Sequence, residues 1–268
     1  VNPDSTDPRL IADTGLLDHG GLDISDGGFG AIVLVHGLMG RGRTWRRQIP
    51  WLRRYGRVFT FDSANHQGVH AVDASDISTE RFVTDLAEIL TWIDRGPAVL
   101  IGHSMGGLHS WCTTAAYPEL VAALVVEDMA PDFRGQTTGT WQPWFSSWPD
   151  RFPDLRAAVD MFGDVAGRYF YEAFDDGRLH GSIPVWADIA EEWGTRHFWD
   201  EWSAVSVPTL LLEAGFSVTP PGQMAEMAAG KPSASYLRVE GAGHLLHDDA
   251  PGVYRGAVEA FLSGPACR

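Results

Sequence analysis

Gly102-His103-Ser104-Met105-Gly106 sets a serine between two glycines, directly after an apolar run and before a helical stretch. A strand that turns sharply into a helix forces its central residue into strained backbone angles, and side chains at the shoulders would collide. Glycine at both shoulders relieves that crowding and lifts the hydroxyl clear of the sheet. Met105 then opens the helix, where unpaired N–H groups and the dipole favour a developing oxyanion. A second donor is expected from the loop His36-Gly37-Leu38-Met39-Gly40, which follows an earlier strand, with the Leu38 N–H as donor.

A serine hydroxyl is unreactive at neutral pH unless a nearby base takes its proton. Ten histidines compete for that role. Gly241-Ala-Gly-His244 follows the last strand, on the sheet edge where ligand crevices open, and its small residues let the loop fold toward Ser104. His244 is therefore the expected base, and neighbouring His247 is assigned to solvent or to the helix cap. His36 is expected to pack beneath the oxyanion loop. His103 should point away from the elbow. His66, His70, His109, His180 and His197 read as surface or packing residues.

An acid must accept the imidazole N–H and stabilise the imidazolium that forms. The loop after Pro208–Leu212 reads Glu213-Ala-Gly-Phe-Ser217-Val-Thr-Pro220, with Ser217 roughly where an aspartate would be expected. The other eligible strand end is Val125-Val126-Glu127-Asp128-Met129. Asp128 lies at the strand exit and is preferred. Glu127 should face the opposite side by strand alternation, and Glu213 is the third candidate.

Short apolar runs at Ala31–Val35, Val58–Phe61, Ala98–Ile101, Ala122–Val126, Pro208–Leu212 and Tyr236–Val239 alternate with helical stretches. Thr44–Tyr55 carries Trp45, Ile49 and Leu52 at helical spacing. Thr79–Ile93 gathers Phe82, Leu86, Ile89, Leu90 and Ile93 on one face, with Thr79 as expected N-cap. Helices are also expected from the elbow through Ala116 and over Gly252–Leu262. Continuous apolar strands separated by helices predict a mostly parallel α/β sheet covered on both faces. The rhythm breaks over 131–203, which holds seven of the eleven tryptophans. That stretch is expected to be a helical cap on a core made of 1–130 and 204–268. Most of its tryptophans should glue cap helices together, and those facing the sheet should line an apolar pocket.

The whole chain is consistent with this plan. Its 268 residues are 44% hydrophobic and 21% charged, a globular profile. A formal charge of −15 argues against nucleic acid as a partner, because phosphates would be repelled. Basic residues are arginine except for Lys231. Cys112 and Cys267 can build neither a disulfide framework nor a thiolate metal site. No apolar run approaches the roughly 20 residues of a membrane span. Val1-Asn-Pro-Asp-Ser5 lacks the features of a signal peptide, so the cytoplasm is the expected compartment.

His36-Gly-Leu-Met-Gly40, Phe61-Asp-Ser-Ala-Asn-His-Gln-Gly68, Gly102-His-Ser-Met-Gly-Gly107, Val126-Glu-Asp-Met-Ala-Pro131 and Gly243-His244 resemble the α/β-hydrolase esterases of the YbfF and ABHD11 type. The likeness spans 30–130 and 205–262. It implies the α/β-hydrolase fold, with a cap inserted after the family's sixth strand and the acid in the segment following that strand. Asp128 is thereby implied as acid and Ser217 as an auxiliary hydrogen-bonding residue. In that group the second motif reads D-x-R-N-H-G-x-S, whereas here Ala64 replaces the arginine and Gln67 precedes the glycine. The implied activity is that of a carboxylesterase-type serine hydrolase acting on an ester with an apolar portion, without metal or cofactor. Lactonase, thioesterase, amide or C–C bond hydrolase activity would use the same residues. A non-catalytic ligand-binding protein of the same fold would retain them too.

Overall fold

Residues alternate along the apolar runs, and the alternation delivers them to two separate cores. The computed structural model describes residues 14–68, 72–136 and 138–264. His70 and Cys267 therefore lie outside the described residues. Strands β1 (Leu17–Gly21), β2 (Phe29–Val35), β3 (Gly56–Thr60), β4 (Ala98–His103), β5 (Val121–Glu127), β6 (Thr209–Phe216) and β7 (Ala234–Gly243) form one sheet in the order β1-β3-β2-β4-β5-β6-β7. Strand β1 is antiparallel to β3, and the other pairings are parallel. Val33, Val35, Leu100 and Val126 join one core, while Ile32, Leu34, Val99 and Val125 join the other. Burial on both faces is why these strands read as unbroken apolar runs.

Helices α1 (Ile49–Leu52) and α11 (Pro251–Ser263) supply Trp51, Leu52, Tyr254 and Val258 to the second core. Helices α2 (Thr79–Ile93) and α3 (Met105–Ala116) cover the first. The short helices α9 (Gln223–Ala229) and α10 (Leu246–Asp249) flank β7 in sequence. Two local expectations are corrected. Thr44–Tyr55 is not one helix: a 3-10 turn covers Gly42–Trp45, and α1 starts separately with Pro50 in its first turn. Proline has no N–H and clashes with a preceding helical turn, so a helix from Thr44 cannot run through it. The N-cap of α2 is Ser78, whose Oγ accepts the Arg81 N–H at 3.2 Å. Thr79 instead donates its hydroxyl to Glu192 at 2.7 Å.

Between β5 and β6 stand α4 (Thr138–Phe145), α5 (Leu155–Phe162), α6 (Asp164–Ala173), α7 (Ile183–Trp193) and α8 (Trp199–Ala204). The strand before them, counted sixth in the family pattern, is fifth in chain order here. An aromatic cluster binds these helices together: Trp148 lies 4.7 Å from Phe162, and Phe152 stacks on Phe174 at 5.1 Å. A row of arginines beside the 3-10 turn clasps the end of α6. Arg41 and Arg43 reach Asp175, each at 2.8 Å, and Arg47 bonds both Glu172 and Asp248.

Strand β2 is flanked by β3 on one side and β4 on the other, so the connection order reverses there. A crevice opens at such a point, beyond the carboxyl ends of the strands. The loop at residues 36–40 and the elbow at Ser104 are the exits of β2 and β4. Among the described residues, no helix is long and apolar enough to cross a membrane.

Candidate active site

Ser104 adopts φ 52° and ψ −124° between β4 and α3. Such a conformation costs a non-glycine residue about 1–3 kcal/mol and persists only where its surroundings impose it. Here the Ser104 N–H donates to the Glu127 carbonyl at 2.8 Å, and the Ser104 carbonyl accepts from Gly107 at 2.7 Å. The shoulders cannot carry side chains. A Cβ on Gly102 would stand 2.4 Å from the Gly106 carbonyl oxygen, and one on Gly106 would stand 2.2 Å from that of Val35.

His244 sits just beyond β7, and its Nδ1–H donates to Asp128 Oδ2 at 2.7 Å. That bond fixes the tautomer and leaves Nε2 with a free lone pair. Asp128 is fully buried, at φ 48°, and its Oδ1 accepts the Ala214 N–H at 2.9 Å and the Ser217 hydroxyl at 2.8 Å. Burial pushes this carboxyl up, but the His244 bond and charge and the Ala214 and Ser217 donors outweigh it. The group stays below the usual carboxylate range. Ser217 thus touches the acid rather than the imidazole, and Thr219 N–H in turn donates to Ser217 Oγ at 2.9 Å.

The other carboxylates are engaged elsewhere. Glu213 accepts the Tyr236 hydroxyl. Glu127 points to the other side of its strand and holds His247. His247 is 1% exposed, so its assignment to solvent or a helix cap is corrected: a buried carboxylate waits there, and the ring is drawn in to pair with it.

Ser104 and His244 line the same cavity, of about 650 Å³. No hydrogen bond joins their side chains in this resting arrangement. Such bonds are often long without substrate and tighten in the complex.

The loop at 37–40 is held from several directions. His36 is buried under it, donating Nδ1–H to the Gly37 carbonyl at 2.8 Å and accepting the Ser63 N–H at Nε2. His66 donates Nδ1–H to the Ala64 carbonyl, so its Nε2 accepts the Met39 N–H at 3.1 Å. His180 Nε2–H reaches the Gly40 carbonyl at 3.2 Å. Burial lowers the proton affinity of all three rings, and neighbouring histidines lower His66 and His180 further. Gly40 N–H bonds within the loop to Gly37. Those bonds occupy the amides of Met39 and Gly40, while that of Leu38 bonds no other described residue and its side chain lines the cavity. Met105 is the first residue of α3, where the amide has no partner inside the helix.

The cavity wall is mainly aromatic and aliphatic, with Trp141, Trp144, Trp193, Phe162 and Phe170 from the inserted helices. Tyr169 lines it too, its hydroxyl facing Gly37 and Thr44. Three of the seven tryptophans in 131–203 therefore face the cavity, and Trp148 and Trp186 pack in the interior. The charged lining residues among those described are Asp164 and Asp249. No group of three His, Cys, Asp or Glu side chains suited to a metal occurs among the described residues.

His103, expected to point away from the elbow, instead lines the same cavity as Ser104 and bonds the His244 carbonyl. The roles of His66, Tyr169 and the Glu127–His247 pair were missed. The last had a signal: adjacent acids at 127 and 128, and histidines three residues apart at 244 and 247. His66 had one as well, as the histidine of the Phe61–Gly68 motif, whereas Tyr169 had none, since it meets a distant loop.

The model of the alpha/beta hydrolase family matches residues 32–257. The chain is 30% identical to the sn-1-specific diacylglycerol lipase ABHD11 of Mus musculus over 263 residues, covering 87% of this chain and 81% of that one. Among solved structures it resembles E-2-(acetamidomethylene)succinate hydrolase, with a TM-score of 0.79 at 18% identity, covering 93% and 94% of the two chains. An esterase from Exiguobacterium antarcticum gives a TM-score of 0.75 at 16% identity, covering 93% and 95%.

Proposed function

The chain belongs to the alpha/beta hydrolase family, and within it we propose a serine hydrolase that cleaves carboxylic esters with an apolar portion. The observation that carries this reading is the 2.7 Å bond between His244 and the buried Asp128, opening on the same cavity as the strained Ser104. His244 Nε2 takes the Ser104 proton as Oγ bonds to the ester carbonyl carbon. The Leu38 and Met105 amides receive the negative oxygen. The imidazolium, stabilised by Asp128, then gives its proton to the alkoxide as the C–O bond breaks, and the alcohol leaves. Water, deprotonated by His244, attacks the acyl-serine, and the acid departs as Ser104 regains its proton. No metal or cofactor enters these steps. Residues 131–203 act as a cap over a core of 1–130 and 204–268.

The wall favours an uncharged hydrocarbon group over a carboxylate. Among the described residues its side chains are mainly aromatic and aliphatic, and it carries two aspartates but no arginine or lysine to replace the hydration an anionic group would lose. This separates the reading from the succinate-type compound named for one structural neighbour. The test is fluorophosphonate labelling with turnover of p-nitrophenyl esters from acetyl to palmitoyl. Ser104→Ala should abolish both, and labelling that persists at another residue refutes the assignment.

A further inference from the structure

Behind the Asp128–His244 pair lies a second carboxylate–imidazole pair, one residue earlier in the first segment and three residues later in the second. Glu127 Oε1 accepts the His247 Nδ1–H at 2.8 Å and also the His247 main-chain N–H at 3.1 Å. Glu127 Oε2 lies 2.9 Å from the same Nδ1. One carboxylate therefore grips both ring and backbone, three residues beyond His244. Both residues are almost fully buried, at 0% and 1% exposure. The His247 ring stacks on Trp45, with centroids 4.5 Å apart.

A third contact joins the same loop to the neighbouring strand. His103 Nε2–H donates to the His244 carbonyl at 3.0 Å, and His103 stands beside Glu127 in the β4–β5 register. The main chain at 244 and 247 is thus pinned to the ends of the two strands that carry Ser104 and Asp128. A hydrogen bond at the ring alone would leave the loop free to pivot about that bond. Fixing its backbone at two further points removes that freedom, and misplacement by about 1 Å can cost roughly 100-fold in rate.

We propose that Glu127 and His247 are positioning residues that hold the loop bearing His244 in reach of Ser104, acting beside the acid rather than in place of it. The inference rests on reading His244 as the base. The two neighbouring carboxylates then divide the work, with Asp128 orienting the imidazole and Glu127 orienting the chain that carries it.

The test measures kcat, KM and the fluorophosphonate labelling rate on p-nitrophenyl butyrate. Glu127→Leu/His247→Leu replaces the buried pair by apolar groups, an exchange often neutral or stabilising for a fold. It should melt near the native temperature yet lose about 10- to 100-fold in kcat and labelling rate, with KM within about twofold. His247→Asn keeps a donor at the Nδ1 position and should stay within about threefold of the native kcat. His247→Gln moves that donor one bond outward and should fall with the double variant. A folded double variant with native kcat overturns the proposal. So do equal kcat values for the asparagine and glutamine variants, which remain decisive if the leucine pair does not fold. A native protein that fluorophosphonate leaves unlabelled at Ser104 instead defeats the esterase reading itself.

Discussion

Ser217 donates its hydroxyl to Asp128 at 2.8 Å, across the ends of two adjacent strands. It stands where an aspartate was expected and bonds the proposed acid at the end of the neighbouring strand. Removing the donor leaves a buried anion with one bond fewer, and hydrogen bonds to charged groups are worth about 1.5–3 kcal/mol. Ser217→Ala should therefore lower kcat by about tenfold on p-nitrophenyl butyrate. Ser217→Asp should cost more, because two close carboxylates cannot both ionise easily. Steady-state kinetics on the two variants checks the order.

Asp128→Asn keeps the shape of the side chain but can present an N–H to Nδ1, favouring the wrong tautomer of His244. Rate losses of about 10⁴-fold accompany such a change in a serine protease triad. The expected loss here is about 10³-fold or more, whereas Glu127→Gln, which preserves an acceptor for the His247 amide, should lose far less. Equal rates for the two would move the acid away from Asp128.

His66 acts on the other half of the site. Its Nε2 takes the Met39 amide, which engages that amide and leaves the Leu38 amide as the proposed oxyanion donor. His66→Leu deprives Met39 of its partner and should let the loop reorient. Loss of one oxyanion donor costs about 10²–10³-fold in kcat, so a loosened one should cost about tenfold, with KM little changed. An unchanged kcat in a folded His66→Leu protein would separate His66 from the oxyanion loop.

Acid should destabilise the fold well before the carboxylates titrate. His36, His66, His103, His109 and His180 are buried, and burial lowers the proton affinity of each; His109 falls to about 3. The unfolded chain binds protons at these rings near pH 6.5, while the folded chain does not. Stability is therefore full above 6.5 and falls as pH drops toward 3. His247 works the opposite way: its affinity is raised by Glu127 against the cost of burial, so its contribution fades as pH rises above 6.5. Urea midpoints between pH 8 and 4 should fall steadily. His109→Phe, replacing the ring stacked on Phe82 at 4.5 Å, should flatten the curve.

The elbow, the sheet and the Asp128–His244 contact were legible because each is written locally: glycines at 102 and 106, apolar runs, an acid at a strand exit. Glu127 was also read correctly as facing the other way, since strand alternation is a strict two-residue rule. The contacts that hold the oxyanion loop were not legible. His66, Tyr169 and His180 meet main-chain groups of residues 37–40 from 27 to 140 positions away, and backbone groups leave no sequence mark. Thr44–Tyr55 misled because its apolar spacing is helical while Pro50 forbids continuity, and the proline prevailed. Strand β1 escaped notice because Leu17-Asp-His-Gly-Gly21 is short, edge-placed and carries two glycines.

The arginine row that begins at Arg41 follows Gly40 directly, and its members grasp Glu172 and Asp175 at the end of α6. Tyr169 on that same helix faces Gly37. The 37–40 loop and this wall of the cavity are therefore tied to one another through α6. Substrates that pried the wall open along the α6 side would disturb that loop as they arrived. An approach that leaves α6 seated would leave the loop beside Ser104 undisturbed.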